Sequence, residues 1–296
     1  MVVAVDRGRF TVQVGVHQIY AVKAREIGRK GIVVGDRVDI VGDVSGDAGS
    51  QARIVRRAER ISTLRRTADD DDPIERVIVA NATQLAVVTA TTDPDPSPGL
   101  IDRAFVAALD AGITPLLVIT KIDLKPPTEL MDLYAPLGFP IFVSKRGTTP
   151  DEIRTALMGE ETVFLGHSGV GKSTLVNALV PAAERSTGHV NAVTGKGRHT
   201  STSVQAIPFG KDGWIIDTPG IRSFGLAHVD SDRVIHAFPD LVAFTQDCPR
   251  SCSHDEPDCA LNTAAVPPAR LDSLRRLIRS RLDTGFDDRR PDSLRT

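Results

Sequence analysis

Cysteine and aromatic residues are both scarce in this chain of 296 residues. The three cysteines, Cys248, Cys252 and Cys259, fall within one short segment, and an odd, clustered set argues against a framework of disulfide bonds. Aromatic side chains make up only 4% of the residues, so recognition of nucleic acid by base stacking is not expected. If the protein binds RNA, we expect contacts mainly with phosphates and binding that weakens with salt.

Long apolar runs are missing as well. No stretch approaches the roughly 18–20 residues that span a bilayer, and the first residues reach Asp6, Arg7 and Arg9 before a signal-like segment develops. We therefore expect a cytoplasmic protein with no membrane partner. The chain is 41% hydrophobic and 25% charged, which is ordinary for packed domains and excludes disorder of the whole chain.

Charge is unevenly distributed along the chain, although the net value is only −2. Residues 1–66 contain 13 Lys and Arg against 7 Asp and Glu, and residues 260–296 contain 8 against 5. The two ends therefore carry +6 and +3, which leaves −11 for the middle. Basic ends suggest a polyanionic partner such as nucleic acid, although a solvated basic surface is the more common explanation.

Three regions differ in their sequence pattern. Residues 1–66 contain short, valine-rich alternating runs separated by glycines, which predict a small all-β barrel of about five strands. An acidic run at 68–73 then predicts a linker. From about 74 to 217, apolar strands alternate with helical stretches, which indicates a mostly parallel α/β sheet. Residues 229–296 contain a short helix, the cysteine cluster and an arginine-rich helix at 267–282.

The middle region is the most regular of the three. Its clearest helix covers 100–112 and ends at Gly112. In a sheet of this kind ligands bind beyond the carboxyl ends of the strands, so motifs that directly follow strands are candidates for a site. The predicted strands are 84–90, 114–120, 140–144, 161–166, 203–209 and 213–218.

A phosphate-binding loop is predicted at 166–173, where GHSGVGKS matches the pattern G-x-x-x-x-G-K-[ST]. The loop follows a strand and opens a helix, where backbone N–H groups can surround phosphate oxygens. Lys172 is expected to neutralise the β and γ phosphates, and Ser173 to offer a hydroxyl to Mg²⁺. A chance match in a glycine-rich turn is the alternative, which the flanking strand and helix disfavour. The predicted contact residues are Gly166, His167, Ser168, Gly169, Val170, Gly171, Lys172, Ser173 and Thr174.

The sequence DTPG at 217–220 ends another predicted strand, downstream of the phosphate loop. Asp217 is expected to hold Mg²⁺ through water, and the Gly220 N–H to contact the γ-phosphate. Alone, DTPG also makes a good turn. The polar stretch at 186–202 lies between the two motifs and predicts a nucleotide-sensitive switch loop, with Thr200 as the magnesium ligand and Thr202 in reserve. A merely flexible loop is the alternative.

A base-reading site is predicted upstream of the phosphate loop, at TKID. Asp123 can accept hydrogen bonds from guanine N1–H and N2–H₂, a donor pair that adenine lacks, and the Lys121 stem can cover the base. The next predicted strand ends in VSK, where the backbone can meet guanine O6. The predicted base-binding set is Thr120, Lys121, Ile122, Asp123, Ser144 and Lys145.

The order of these motifs is unusual, because the base loop precedes the phosphate loop. A parallel α/β sheet assembles its site from loops at one edge, so position in space matters more than order along the chain. Chain termini often lie close together on a domain surface, so a circular permutation keeps every loop in place. The observed order is the order that such a permutation predicts, with the cut just after DTPG. Residues beyond about 228 should then respond to the nucleotide state.

The cysteine cluster predicts a structural zinc site. Cys248, Cys252, His254 and Cys259 have the spacing C-x₃-C-x-H-x₄-C, and three thiolates with one imidazole complete a tetrahedral set that leaves no position for water. Three free core cysteines are the alternative, which the clustering disfavours. Zinc would help to fold a segment that contains few apolar residues.

Together these motifs resemble the RsgA (YjeQ) family of circularly permuted GTPases. The residues that carry the resemblance are GHSGVGKS, GRHTST, DTPG and the cysteine knuckle followed by EPDCAL, and it covers nearly the whole chain. It implies an N-terminal OB-fold β-barrel (1–66), a central circularly permuted P-loop α/β GTPase domain (67–228) and a C-terminal α-helical zinc-knuckle domain (229–296). It also implies GTP or GDP, Mg²⁺ and one structural Zn²⁺ as ligands.

The resemblance further implies a function. The expected partner is the 30S ribosomal subunit, with its 16S rRNA bound near the decoding region. The expected role is late maturation of that subunit, with GTP hydrolysis stimulated by it, and we expect the protein to act as a monomer. Two functions from other classes stay open: a P-loop ATPase or small-molecule kinase, and a non-catalytic RNA-binding scaffold.

The sequence departs from the family pattern at three points. Thr120 replaces the usual Asn, and the lost amide is expected to weaken contact with guanine N7 and with the phosphate loop. Both spacings in the knuckle are about one residue shorter than the family pattern leads us to expect. Ile221 follows DTPG where many GTPases place a water-orienting Gln, so intrinsic turnover should be slow. The predicted catalytic residues are Lys172, Thr200, Gly220 and, as a hypothesis, His199, for which an exposed bystander is an equal alternative.

Overall fold

The structure is a computed structural model of the chain. It describes residues 1–27, 31–47, 49, 51–68, 70, 72, 74–146, 148, 150–181, 203–221 and 223–282. The predicted switch residues His199, Thr200 and Thr202 lie outside these ranges. Among the described residues, no helix has the length and apolarity needed to cross a membrane.

Strands dominate the first half of the described chain, and helices the last part. The strands are β1 (Val2–Asp6), β2 (Arg9–Val14), β3 (His17–Lys23), β4 (Val38–Gly42), β5 (Ala52–Arg57), β6 (Thr63–Arg66), β7 (Arg76–Ala80), β8 (Gln84–Ala90), β9 (Thr114–Thr120), β10 (Ile141–Val143), β11 (Glu161–Gly166), β12 (Gln205–Phe209) and β13 (Gly213–Asp217). The helices are α1 (Pro98–Asp110), α2 (Thr128–Tyr134), α3 (Asp151–Ala156), α4 (Lys172–Leu179), α5 (Ser231–Val234), α6 (Pro239–Val242) and α7 (Pro268–Leu282).

The first five strands follow the order β1-β2-β3-β5-β4. Neighbouring strands are antiparallel except for β3 and β5, which are parallel. Alternate residues of β2, β3 and β5 point into a shared core, where Val12, Ile19 and Ile54 are fully buried. A five-stranded sheet with this order and one parallel pair is the arrangement expected of the predicted OB-fold.

The central sheet has the order β10-β9-β8-β11-β13-β12. All of its pairs are parallel except the edge pair of β12 and β13. Side chains alternate between the two faces: Leu85 and Val87 of β8 pack in the core that contains α1, whereas Ala86 and Val88 pack in the core that contains α4. Both faces are therefore covered, which explains why these strands are continuous apolar runs in the sequence.

The predicted strands of this region are confirmed. The bounds of β8, β9 and β11 agree with the predicted ones, while β10, β12 and β13 are one or two residues shorter. The three strands β8, β9 and β10 precede the phosphate loop in the chain, yet they lie in the same sheet as β11, with β8 directly beside it. The circularly permuted α/β arrangement is thus observed directly.

Some elements were not predicted from the sequence. Strands β6 and β7 pair as an antiparallel hairpin around the acidic run that we interpreted as a linker. The expected domain boundary at residue 66 falls within this hairpin, and the boundaries remain predictions. Strand β6 (TLRR) is short and rich in arginine, so it lacks the apolar alternation that predicts a strand, whereas the apolar run in β7 (RVIVA) was a signal that sequence reasoning missed.

The N-terminal barrel contacts the central domain both through strand pairing and through close backbone packing. Strand β1 pairs with β12 through Ala4 and Gln205. Elsewhere Gly35, at a φ of +92°, lies directly against the end of β7, where an added Cβ would approach the Ala80 carbonyl oxygen to 1.9 Å. A side chain at this position is therefore excluded by backbone contact as well as by the left-handed conformation.

The C-terminal helix α7 packs against α1 of the central domain. Leu274 and Leu277 of α7 share a buried core with Ile101 and Phe105 of α1. Beside this apolar contact lies Arg270, which is fully buried and donates a hydrogen bond from Nε to Asp240 Oδ2 at 3.0 Å. Arg276 of the same helix donates from Nη2 to Asp102 Oδ2 of α1 at 3.3 Å, so both apolar and ionic contacts fix the last region of the chain to the central domain.

Candidate nucleotide site and metal centre

The phosphate loop connects β11 to α4. Gly169 and Gly171 adopt φ values of +87° and +92°, which place the backbone in a left-handed conformation. Gly166 is required for a different reason, because an added Cβ would lie 2.4 Å from the Val88 carbonyl oxygen. The glycines of the motif therefore serve both the turn of the loop and its close packing on β8.

Lys172 lies at the start of α4 and is only 6% exposed. Its Nζ donates hydrogen bonds to Asp217 Oδ1 and to the Thr218 carbonyl oxygen. The predicted phosphate-binding cation and the predicted magnesium-binding carboxylate thus meet, although 44 residues separate them in the sequence. Both side chains are buried, where a charge is stable only beside a partner of opposite sign, and each supplies that partner to the other.

The DTPG segment lies on the phosphate loop. The Ile221 N–H donates to the Gly166 carbonyl oxygen at 3.1 Å, and the Thr218 hydroxyl donates to the Phe164 carbonyl oxygen at 2.8 Å. An added Cβ at Gly220 would lie 3.1 Å from Ser168 Cα. Movement of this segment and of the phosphate loop is therefore linked by direct contact.

The base loop follows β9 and is held by β10 and by the loop after β8. The Ser144 N–H donates to the Ile119 carbonyl oxygen at 2.8 Å, and Asp123 Oδ1 accepts from the Arg146 N–H at 3.3 Å. Lys121 has a φ of +58° and donates from Nζ to the Asp93 carbonyl oxygen. The Lys121 stem is thus held along one wall of the site.

A cavity of about 330 Å³ opens between the base loop and the phosphate loop. A volume of this size is within the range of small-molecule sites. Base-side residues and phosphate-side residues face the same space. Of the predicted residues, those that line it are Thr120, Lys121, Asp123, Ser144, Lys145, Gly169, Gly171 and Thr174.

Other predicted residues lie nearby without lining the cavity. The Ile122 N–H points to the Ser144 carbonyl oxygen at 3.5 Å. The Val170 side chain is buried in the core under α4. The His167 ring faces the Ser168 carbonyl oxygen at 3.2 Å, and Ser173 is exposed. These residues belong to the loops that frame the site.

The structure also adds cavity residues that sequence reasoning missed: Asp93, Leu124, Arg146, Thr148, Leu175 and Ala178. Leu175 and Ala178 continue the face of α4 begun by Gly171 and Thr174, so helical periodicity identifies them once the loop is known. Asp93 follows β8, at the same sheet edge as the two nucleotide loops. In the sequence, the feature that could have identified Asp93 is its position just after an apolar strand.

The cysteine cluster forms a compact group of four ligand atoms that lie within 4.8 Å of one another. Cys248 Sγ is 3.9 Å from Cys259 Sγ and 3.6 Å from His254 Nδ1. Around zinc, Zn–S bonds of about 2.3 Å in a tetrahedron place two sulfurs about 3.8 Å apart. The geometry and the donor set thus fit one zinc ion with no open position.

The knuckle is supported by α7 and by its own loop. Arg275 donates from Nε to the His254 carbonyl oxygen at 3.1 Å, and Arg279 binds both carboxylate oxygens of Asp255 at 2.7 and 2.8 Å. The Ser253 backbone N–H donates to Glu256 Oε1 at 2.9 Å, and this hydrogen bond lowers the pKa of the Glu256 carboxyl group. These contacts orient the loop that carries three of the four ligands.

Residues 57–227 match the family described as RsgA GTPase. The chain belongs to the RsgA GTPase family. A relative from Pseudomonas aeruginosa, named small ribosomal subunit biogenesis GTPase RsgA, is 39% identical over 271 residues, which cover 84% of this chain and 79% of the relative. A relative of the same name from Bacteroides fragilis is 36% identical over 250 residues, covering 79% and 77%.

Solved structures agree with this membership. YjeQ from Thermotoga maritima superposes with a TM-score of 0.72 at 26% identity, covering 95% of this chain and 97% of that one. YloQ, described as a circularly permuted GTPase, superposes with a TM-score of 0.69 at 21% identity over 95% and 94%, which shows the fold alone. The resemblance proposed from the motifs is thereby confirmed.

RsgA membership establishes part of the chemistry. The chain is a GTPase, and a GTPase binds GTP and GDP with Mg²⁺. The roles of individual residues remain predictions, because neither the family match nor the relatives assign them. The geometry nevertheless brings half of the predicted nucleotide-binding residues to one cavity and all four predicted zinc ligands to one cluster.

Proposed function

We propose that this RsgA-family protein hydrolyses GTP during late maturation of the small ribosomal subunit, bound as a monomer to the 30S particle and its 16S rRNA near the decoding region. The observation that carries the proposal is the shared cavity, where Asp123 of the base loop faces Gly171 of the phosphate loop. The names of the relatives from Pseudomonas aeruginosa and Bacteroides fragilis support the ribosomal role.

In this proposal each loop has one task. Asp123 accepts the guanine N1–H and N2–H₂, Lys172 leaves its partner Asp217 to bind the β and γ phosphates, and Gly220 directs its N–H at the γ-phosphate. Ser173 and Thr200, with Asp217 through water, would hold Mg²⁺, which neutralises charge on the phosphates.

The water-orienting group is the least complete part of the site. Ile221 is buried and aliphatic, so its side chain cannot align a nucleophilic water. We propose that the missing group comes from His199 or from the ribosomal partner, and that the partner therefore stimulates hydrolysis. An arrangement of this kind would make turnover depend on the assembly state of the subunit.

The N-terminal barrel is the proposed RNA-binding part. Arg7, Arg9, Arg53 and Arg56 are exposed on it, and region 1–66 carries the largest positive charge of the chain. Contacts to phosphates from such arginines fix position on RNA with little dependence on sequence. The proposed domains remain 1–66, 67–228 and 229–296, with one structural Zn²⁺ in the last.

The first test measures GTP hydrolysis with and without purified 30S particles. We expect strong stimulation by the particles, and Lys172→Ala should reduce the stimulated rate by about a hundredfold or more because the phosphates lose their main cation. Lys211→Ala is the matched control, because Lys211 is exposed in the turn between β12 and β13. It should hydrolyse GTP at the wild-type rate.

Two results would contradict the proposal. Failure of 30S particles to raise hydrolysis would support the alternative of a non-catalytic RNA-binding scaffold. Equal competition by ADP and GDP for the nucleotide cavity would support the alternative of a P-loop ATPase or kinase.

A further inference from the structure

Thr120 ends β9 at the point where the base loop meets the phosphate loop. The side chain is buried, with 6% of its surface exposed. Its Oγ1 lies within hydrogen-bonding distance of the Val170 carbonyl oxygen in the phosphate loop and 3.1 Å from the Thr89 carbonyl oxygen in β8. One hydroxyl thus joins the two halves of the nucleotide site.

The chemistry of these partners fixes the role of the hydroxyl. A threonine hydroxyl has one proton to donate, and both neighbours are carbonyl oxygens, which only accept. The proton must therefore be shared between Val170 and Thr89. No donor remains on this side chain for a third group in the cavity.

Packing holds Thr120 in this position. An added Cβ at Gly171 would lie 3.5 Å from Thr120 Oγ1, so the phosphate loop lies directly on the threonine. On the other side, the Thr91 N–H donates to the Thr120 carbonyl oxygen at 3.1 Å, and the Thr91 hydroxyl donates to the Lys121 carbonyl oxygen at 2.8 Å. The side chain has little freedom to turn toward a bound base.

Guanine presents the acceptors N7 and O6 on the edge beside its N1 and N2 donors. Asp123 can satisfy only the donors, because a carboxylate accepts. The acceptors need N–H or O–H donors, and the Thr120 hydroxyl is already committed to carbonyl oxygens. N7 is therefore expected to gain nothing from this residue.

We propose that Thr120 is a positioning residue that holds the phosphate loop through Val170 and takes no part in reading guanine N7. This inference rests on the proposed guanine-nucleotide function of the cavity. It separates two tasks at one position: phosphate affinity depends on the hydroxyl, whereas base selection does not.

The experiment measures dissociation constants for GDP and 7-deaza-GDP, in which a C–H replaces N7. Thr120→Val keeps the side-chain shape but leaves the Val170 and Thr89 carbonyl oxygens without this donor. We expect both nucleotides to bind about tenfold more weakly, with the ratio of the two constants the same as in the wild type. Thr120→Ser restores the hydroxyl and should restore both affinities.

Thr120→Asn provides the converse result. An amide has two protons, so one can serve the Val170 carbonyl oxygen while the other reaches toward the base. The preference for GDP over 7-deaza-GDP should therefore be about fivefold larger in this variant than in the wild type.

A matched control separates positioning from general destabilisation. Thr162 is a buried threonine at the opposite end of β11, and its hydroxyl donates to Gln84 Oε1 at 2.9 Å. Thr162→Val removes a hydroxyl of the same kind and should lower the melting temperature without changing either dissociation constant. If Thr162→Val lowered nucleotide affinity as much as Thr120→Val does, the inference would be overturned.

Two further outcomes would also overturn it: unchanged GDP affinity in Thr120→Val, or a change in the ratio of GDP to 7-deaza-GDP binding in that variant. Failure of the proposed function is a separate result. In that case the wild-type protein would bind ADP as tightly as GDP, whatever Thr120→Val does.

Discussion

At the residue scale, we expect guanine selection to depend on the carboxylate of Asp123. Its Oδ1 accepts a long hydrogen bond of 3.3 Å from the Arg146 N–H, and the residue lines the cavity. A weakly held carboxylate at a cavity wall is available to a ligand that brings stronger donors. The guanine N1–H and N2–H₂ form such a pair.

The substitution Asp123→Asn tests this role. Asparagine offers an amide donor where the carboxylate accepts, so it should lower GDP affinity by about a hundredfold and favour xanthosine diphosphate, which has a carbonyl at C2. Competition binding with both nucleotides measures the exchange. Asp132→Asn, at an exposed position of α2, is the control and should preserve the guanine preference. Equal effects of the two variants on GDP binding would contradict a base-reading role for Asp123.

At the element scale, α7 connects the knuckle to the nucleotide-binding domain. Arg275 and Arg279 bind the knuckle loop, while Arg270, earlier on the same helix, lies near Asp102 of α1. Tyr134 of α2 donates its hydroxyl to Asp102 Oδ1 at 3.0 Å. Burial raises the pKa of Asp102, and the charge of Arg270 opposes this increase. A buried carboxylate of this kind requires its partners, so α7 has few alternative positions.

Zinc content tests the structure of the knuckle. The wild-type protein should retain one zinc ion per chain after dialysis, as measured by elemental analysis, because four ligand atoms form a closed set. His254→Ala should lose most of the metal and melt at a lower temperature, since metal binding contributes to folding. His236→Ala is the matched control, because His236 is exposed near α5 and outside the cluster. Retention of full zinc by His254→Ala would contradict the assignment of this ligand.

At the scale of the whole molecule, four segments meet at Asp70 and Arg103. Asp70, between β6 and β7, accepts hydrogen bonds on Oδ1 from Arg103 Nη1 of α1 at 2.6 Å and from the Leu226 N–H at 2.9 Å. Arg103 also donates from Nη2 to Ser280 Oγ of α7 at 2.9 Å. Hydrogen bonds thus connect the segment that follows DTPG to the β6–β7 hairpin, and through Asp70 and Arg103 to α1 and α7.

This junction supports the expectation that the C-terminal region responds to the nucleotide. Gly225 and Thr67 exchange two backbone hydrogen bonds of 3.2 Å, which bind the same segment to the chain that enters the central domain. Movement of DTPG on hydrolysis would therefore act, through these contacts, on the chain that enters the central domain and on the C-terminal region. Coupling of this kind requires only that the nucleotide shift one segment between two arrangements.

The acid stability of the molecule tests the importance of the junction. Burial alone would raise the pKa of Asp70, but the hydrogen bonds from Arg103 and Leu226 outweigh it and lower the pKa. A lowered pKa means that the stabilisation is complete above the ordinary value of about 3.9 and is lost as pH falls through the lower folded value.

Asp70→Asn should therefore be less stable than the wild type at neutral pH and should lose less stability below about pH 4. Urea unfolding at both pH values measures the difference. Asp95→Asn, at an exposed position, is the control and should follow the wild-type curve. If the free energies of unfolding of Asp70→Asn and the wild type differed by the same amount at both pH values, this role of the Asp70 charge would be contradicted.

Local sequence determined much of the fold and of the candidate site. Strands such as β8, β9 and β11 are continuous apolar runs because both faces of a parallel sheet are covered, so composition alone locates them. The phosphate loop and the knuckle are equally local, because contiguous residues carry the glycines in one case and the ligands in the other. The same runs and motifs, read in order, already imply the circular permutation.

Only the tertiary structure decided which distant groups touch. The Lys172–Asp217 pair, the commitment of Thr120 to Val170 and the Asp70 junction each join residues that are far apart in the chain. Periodicity and motif spacing report the local backbone, but they do not show which side chains share a buried space. That choice depends on how whole elements pack, because a buried charge or hydroxyl is stable only where packing brings it a partner.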